Sequence, residues 1–389
     1  MTVTCPALIQ VLLLWFAGLG AAAQFAKIAV PFAQVRAAYP ETGDEIGWLL
    51  SLISLVGAVL GVVAGDLVRR FGERRLLIAG LLLGAAISLW QASLPPFPLM
   101  LASRLLEGFS HLAIVVAAPT LISRISHARF IGAAMTLWST FFGVSFALVA
   151  WVALPLLGDG GIPTLFASHG GFMIAIAALV ALSIPEQARE TGPDALPASG
   201  IIATHVKAYL SPHIAAPAAG WLFYTLTFVS LLALVPETLA PKDAAWAAGL
   251  MPLVSIAVSM LTVPILLRRV SGVSVTMLGF ALAMPLVALA GLLDQPLVFA
   301  IALFAALGLV QGASFAAVPE LNPDPGDQAL AYGLLAQSGN CGNLLGTPIL
   351  LAILGAQGPG GMYLSVVAIY LGGFLAHLLL AQRRGVARN

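Results

Sequence analysis

Long apolar runs recur along the whole chain, each broken by a short cluster of charged, Gly or Pro residues. A helix needs about 20 apolar residues to cross a bilayer. By that measure the pattern predicts twelve spans, at 7–35, 46–68, 75–93, 98–122, 130–156, 165–185, 213–235, 245–267, 272–293, 297–318, 329–354 and 361–382. The segments are too long and too uniformly apolar for the alternating strands of about 10 residues that build a membrane barrel. The expected fold class is therefore an all-α membrane protein. The connections are short and leave no room for a catalytic domain outside the membrane. The longest interruption runs from Glu186 to Pro212 and holds Gly192, Pro193, Pro197 and Gly200. It reads as a linker between two six-helix halves.

Composition supports this picture. The 389 residues are 60% hydrophobic and 8% charged, against about 25% charged in soluble domains. A soluble protein of this kind would have no polar coat. The net charge of +1 says nothing about nucleic acid, and no basic arm or aromatic-interleaved patch appears. Cys5 and Cys341 are too few and too far apart for a disulfide framework or a metal site, and no cofactor is implied. No nucleophile–base constellation suggests an enzyme. The first run lacks a basic leader and a clear cleavage site, so it reads as a retained helix.

Lys and Arg set orientation. With the N-terminus inside, Arg69, Arg70, Arg74, Arg75, Arg124, Arg129, Arg189, Lys207, Arg268, Arg269, Arg383, Arg384 and Arg388 all fall on the cytoplasmic side. Only Arg36 and Lys242 fall outside. The asymmetry predicts an even number of spans with both termini cytoplasmic, in a bacterial inner membrane.

The halves repeat weakly. Arg69-Arg70-Phe71-Gly72 is echoed by Arg268-Arg269-Val270-Ser271-Gly272, Glu107-Gly108 by Gln311-Gly312, and Gly132 by Gly333. The shared offset of roughly 200 residues is that of parallel transporter halves.

The loop after span two reads Gly65-Asp66-Leu67-Val68-Arg69-Arg70-Phe71-Gly72-Glu73-Arg74-Arg75. It resembles the major facilitator superfamily pattern Gly-x-x-x-Asp-Arg/Lys-x-Gly-Arg/Lys-Arg/Lys. Gly65, Arg70, Gly72 and Arg74 match. Arg69 stands at the family's Asp position and Glu73 at a basic one, with Asp66 a turn earlier as the available acid. The resemblance implies a conformational-gating role for Gly65, Asp66, Arg70, Gly72 and Arg74; the plainer reading is a turn whose arginines set topology. Arg104-Leu105-Leu106-Glu107-Gly108 resembles the family's helix-four pattern Arg-x-x-Gln-Gly, with Glu for Gln. The Gly-x-x-x-Gly-Pro pattern of many drug/proton antiporters is absent from 138–156.

The resemblance covers the whole chain. It implies two pseudo-symmetric six-helix bundles, residues 1–188 and 212–389, joined by a cytoplasmic linker at 189–211. It also implies a monomer that works by alternating access around a midplane site.

Three ionisable groups lie where lipid is expected: Arg104, Glu107 and His111. A charged residue at a helix centre costs roughly 2.5–3.5 kcal/mol on insertion scales, so such groups face a bundle interior or a cavity. At 1.5 Å per residue, Lys27 and Arg104 each lie about 9 Å outside the span centre and Glu107 about 4–5 Å. Arg104, Glu107 and His111 can share a face. On one reading Lys27 or Arg104 binds an anionic group while Glu107 or His111 carries a proton. On the other, Arg104 and Glu107 are a permanent structural pair, and Lys27 snorkels to the outer interface.

The second half offers Tyr224, Gln311, Asn340 and Asn343 for substrate, or as helix glue. Gly339, Gly342 and Gly346 are expected to bring span eleven close to a neighbour. Cations in one half with amides and aromatics in the other suit a small organic anion, such as a carboxylate, moved with protons. The rival readings are a proton-driven efflux pump for amphipathic drugs and a non-transporting receptor.

Overall fold

The structure is a computed structural model, and it describes residues 7–61, 71–127, 130–186, 206, 208–290 and 296–386. Every described element is helical. In a bilayer an unpaired backbone group has no water to turn to, so helices that satisfy their own N–H and C=O groups are the natural spans. The chain divides into two compact units, Met1–Asp194 and Ala195–Asn389. Most of the expected linker at 189–211 lies outside the described residues.

In the first unit, α1 (Ala7–Ala29) is followed by the short α2 (Phe32–Ala38), with Pro31 at the break. A 3₁₀ segment, Pro40–Gly47, leads into α3 (Trp48–Ser51) and α4 (Ile53–Leu60), and the chain bends by 43° there. Then come α5 (Glu73–Gln91) and α6 (Phe97–Ile125). Span five is built from α7 (Ile131–Ser139), α8 (Phe141–Leu148), a π segment Val149–Ala153, and α9 (Leu154–Leu157). The unit closes with α10 (Gly161–Ser183). Its core joins Leu14 and Ala17 of α1, Leu81 of α5, Ile114 and Ala118 of α6, and Met173 of α10, all buried.

The second unit holds α11 (Ala215–Glu237), α12 (Pro241–Ala257), a π segment Val258–Thr262, α13 (Val263–Leu266), α14 (Gly272–Ala290), α15 (Pro296–Leu321) and α16 (Pro325–Val386). At 62 residues α16 would reach about 93 Å if straight, three times a bilayer's hydrocarbon core. It therefore crosses twice. Its break is at Gly358, whose φ of 70° is open to glycine but strained for other residues. The loop expected between spans eleven and twelve is this one kink.

Both π segments sit just before a proline, Pro155 and Pro264. Proline lacks an N–H and crowds the carbonyl four residues back, and the widened turn absorbs both effects. By length and composition, eight described helices qualify as spans, or nine with the bent pair Pro40–Ser51 and Ile53–Leu60. Counting α5 and the α8–α9 run, and α16 as two, the described helices follow the twelve expected segments in order.

Candidate functional site

Three helices of the first unit each carry two or more buried polar residues at helical spacing. Gln24 and Lys27 lie on α1, and Ser88 and Gln91 on α5. On α6, Ser103, Glu107 and Ser110 follow i, i+4, i+7 beside Arg104. One residue of each helix, Lys27, Gln91 and Arg104, meets Glu107. Its Oε1 accepts from Lys27 Nζ at 2.6 Å. Its Oε2 accepts from Gln91 Nε2 at 3.0 Å and from an Arg104 guanidinium nitrogen. These contacts are all with donors, the inventory of an ionised carboxylate. Lys27 Nζ also donates to Ser88 Oγ at 2.5 Å and Gln91 Oε1 at 2.7 Å, and lies 5.4 Å from the Phe166 ring centre. Arg104 Nε donates to the Leu49 carbonyl of α3 at 2.6 Å, while its Nη2 is buried without a partner.

The charged groups are shut away from solvent: Lys27, Arg104 and Glu107 are each 0% exposed. The depth arithmetic placed these three in one layer, and the structure brings them together. Lys27 does not snorkel. Arg104 is engaged on one side by Glu107 and on another by backbone.

His111 was expected on the same face as Glu107. Its Nδ1 instead meets the Ala21 carbonyl at 3.2 Å, and its ring stands edge-on to Phe25 at 5.1 Å. The histidine that joins the network is His169 of α10, which sequence reasoning missed. Its Nδ1 bonds Ser88 Oγ at 2.7 Å and its Nε2 faces the Gly20 carbonyl at 2.9 Å. Ser88 and Gln91 were missed as well. Their i, i+3 spacing in an apolar run is the signal that could have found them, since it repeats that of Gln24 and Lys27. Gly84 makes room nearby: a Cβ there would lie 2.5 Å from Ser110 Oγ and 2.8 Å from Gln24 Nε2. That space lets Gln24 donate to Ser110 at 2.7 Å.

Of the loop residues, Gly65, Asp66 and Arg70 lie outside the described residues. Gly72 precedes α5 with φ 80° and ψ 141°, a backbone region essentially restricted to glycine. Arg74 donates to the Ile184 carbonyl at 2.6 Å and the Ala181 carbonyl at 2.7 Å. It thus fastens the last carbonyls of α10, which have no partner within the helix. Glu73, at the family's basic position, pairs with Arg124 at 2.5 Å.

In the second unit, Gln311 stands at the repeat position of Glu107. Its Oε1 accepts from Ser255 Oγ at 2.9 Å and from Tyr224 OH at 3.3 Å. The following glycines match too. A Cβ on Gly108 would lie 2.5 Å from the Ile53 carbonyl of α4, and one on Gly312 would lie 2.7 Å from Ser259 Oγ. Trp221, Tyr224 and Phe228 stack along α11, with centroids 4.8 and 4.9 Å apart. Asn340 Nδ2 donates to its own helix at Ala336 (3.0 Å), and Asn343 Oδ1 is buried without a partner. Gly339, Gly342 and Gly346 do bring span eleven close to a neighbour, which is α11.

Long apolar helices in two compact units, with an ion-paired cluster buried in the first, make this a helical membrane protein. The Major Facilitator Superfamily profile matches residues 12–324, and the chain belongs to that family: it is a transporter, not an enzyme. Among similar proteins, the niacin transporter NiaP of Acinetobacter baylyi is 29% identical over 167 residues. The match covers 40% of this chain and 38% of that protein's length. A bacterial homologue of the human lysosomal transporter Spinster, solved inward-facing and unoccupied, shares the fold. Its TM-score is 0.72 at 14% identity, covering 97% of this chain and 96% of that one.

Proposed function

We propose that this transporter moves a small organic anion, a carboxylate being the best fit, in exchange or symport with protons. The observation that carries the reading is the charge balance of the buried cluster: two cationic side chains, Lys27 and Arg104, face one carboxylate, Glu107. A surplus positive charge in a low-dielectric interior attracts an anion. At about 10 Å and an effective dielectric of about 20, the attraction is on the order of 1–2 kcal/mol, so direct contact is not required. Arg104 Nη2, buried and unpartnered, is the donor available when the cluster opens. Glu107 accepts a proton only if its donors move away, so protonation and opening of the cluster are one linked event. His111 is the second proton-carrying candidate. Tyr224, Gln311, Asn340 and Asn343 are assigned to the uncharged part of the substrate. The niacin named for the relative makes that compound the first probe.

A pump for lipophilic cations needs an unpaired acid. Glu107 is engaged twice over, so this second reading has less support.

Purified protein in proteoliposomes carrying a pH-sensitive dye should take up niacin or benzoate, with a pH change in the lumen, and should ignore neutral benzamide. Lys27→Met leaves Arg104 and Glu107 as a one-to-one pair. It should stay folded while uptake falls roughly tenfold, the equivalent of about 1.4 kcal/mol. Wild-type uptake by folded Lys27→Met would sink the anion assignment.

The placement of both termini in the cytoplasm of a bacterial inner membrane is part of the same proposal, resting on the Lys and Arg distribution. A reporter that fluoresces only in the cytoplasm should be bright at either end, and a dark C-terminal fusion would refute it.

A further inference from the structure

We propose that His169 is a positioning residue for the Lys27 ammonium, acting through Ser88. A hydrogen-bond chain runs Lys27, Ser88, His169, Gly20 across α1, α5 and α10, and its two ends fix its direction. The Gly20 carbonyl can only accept, so the proton of the His169 ring sits on Nε2, 2.9 Å away. The Lys27 ammonium can only donate, so the Ser88 oxygen accepts from it at 2.5 Å. A charged imidazole would set a second cation against that same oxygen. With the ring neutral, Nδ1 is a bare acceptor, and the one hydroxyl proton of Ser88 goes to it at 2.7 Å.

A helical serine or threonine commonly returns its proton to the carbonyl three or four residues back. Thr120, Thr225 and Thr276 do so here. Among the described hydrogen bonds, Ser88 has only Lys27 and His169 as partners. His169 therefore draws the Ser88 hydroxyl away from its own helix and leaves its lone pair for the ammonium. Lys27 has three protons and three acceptors: Ser88, Gln91 and Glu107. Without His169 the Ser88 hydroxyl turns back to its helix, and a buried ammonium is left one acceptor short.

Holding α10 in place is not reason enough for His169, because close packing already does that. A Cβ on Gly20 of α1 would lie 2.5 Å from Met173 Sδ, and one on Gly170 would lie 3.1 Å from the Ala85 carbonyl of α5. The bond to Gly20 instead selects the tautomer.

Two amide substitutions separate these roles. An Asn amide oxygen reaches about where Nδ1 stands and can accept from Ser88, while a Gln amide nitrogen reaches about where Nε2 stands and can donate to Gly20. His169→Asn thus keeps the link to Ser88, and His169→Gln keeps only the link to α1. A role for Lys27 in transport rests on the anion reading, so the full-length protein is read in two ways. The first needs no substrate: Tm in nanodiscs, with each His169 variant made in the wild-type and Lys27→Met backgrounds. His169→Gln should lower Tm when Lys27 is present and much less when it is not, and His169→Asn should stay near wild type. The second is benzoate uptake in proteoliposomes, where His169→Gln should raise KM several-fold at little changed Vmax and His169→Asn should restore it. Equal Tm losses in both backgrounds overturn the proposal, as does His169→Gln being tolerated where His169→Asn is not. So does an unchanged KM in a protein that takes up benzoate. If the Tm coupling is present and wild type takes up no benzoate, His169 still positions Lys27 and the anion reading fails instead. NMR of the wild-type protein with isotope-labelled histidine needs no variant to fold. The neutral Nε2–H tautomer at His169 supports the proposal, and the Nδ1–H tautomer or an imidazolium refutes it.

Discussion

Glu107 is the only carboxylate facing Lys27 and Arg104 among the hydrogen bonds described, so Glu107→Gln strands two buried cations without a counter-ion. Removing one partner of a buried pair typically costs about 3–5 kcal/mol. The expected outcome is a large fall in Tm, much larger than for Lys27→Met, which leaves a neutral pair. Equal Tm values for the two variants would show that the cluster's charge balance does not matter to stability. At this scale the sequence was informative about depth and poor about rotation. The 1.5 Å rise put Lys27, Arg104 and Glu107 in one layer, and they meet. The i+4 rule put His111 with them, yet its ring turns to the Ala21 carbonyl of α1. His169 joined unannounced, because nothing in an apolar helix says which face of α10 looks inward.

Among the described glycines, the shortest Cβ distances are those of α16 against α11. A Cβ on Gly346 would lie 2.0 Å from the Leu226 carbonyl and one on Gly342 2.1 Å from Thr225 Oγ1, whereas Gly333 on the same helix has nothing within 4 Å. Backbone cannot step aside as a flexible side chain can. Gly346→Ala should therefore abolish a monodisperse, folded peak in size-exclusion chromatography, while Gly333→Ala leaves it intact. A normal profile for Gly346→Ala would mean that the two helices are further apart than described. Gly72→Ala is a milder case. Its neighbourhood is open, so only the backbone is strained, by roughly 1–3 kcal/mol, and a modest drop in Tm is expected. Element existence was legible from hydropathy, since lipid demands long apolar helices. Breaks were legible in part: the turn at Gly358 falls in the gap expected between 354 and 361, whereas the kink at Leu52 lies inside the expected span 46–68 and depends on packing. The π segments precede Pro155 and Pro264, but Pro119, Pro252, Pro285 and Pro348 lie inside helices without one, so proline alone did not foretell them.

For the whole molecule, the proposed anion role of the buried cluster can be weighed against a purely structural one. Replacing a buried ion triad by apolar residues of similar volume is often neutral or stabilising by about 1–4 kcal/mol. A membrane protein therefore has no need of Lys27, Arg104 and Glu107 merely to hold α1, α5 and α6 together. The weak repeat sharpens the point. At the position of Glu107 the second unit carries Gln311, which settles for a serine and a tyrosine and needs no charge. The same architectural place is thus filled once without ions, so the ions of the first unit call for a reason other than packing. The triple variant Lys27→Met, Arg104→Met, Glu107→Met separates the two roles. It should fold at least as well as Glu107→Gln in a thermal-shift assay, because no charge is left unpaired, and it should fail to accumulate anion in proteoliposomes. If it transports at the wild-type rate, the cluster is structural and the anion must be recognised elsewhere. If it fails to fold while Glu107→Gln survives, the ion pairs themselves carry the packing and the argument from charge balance falls.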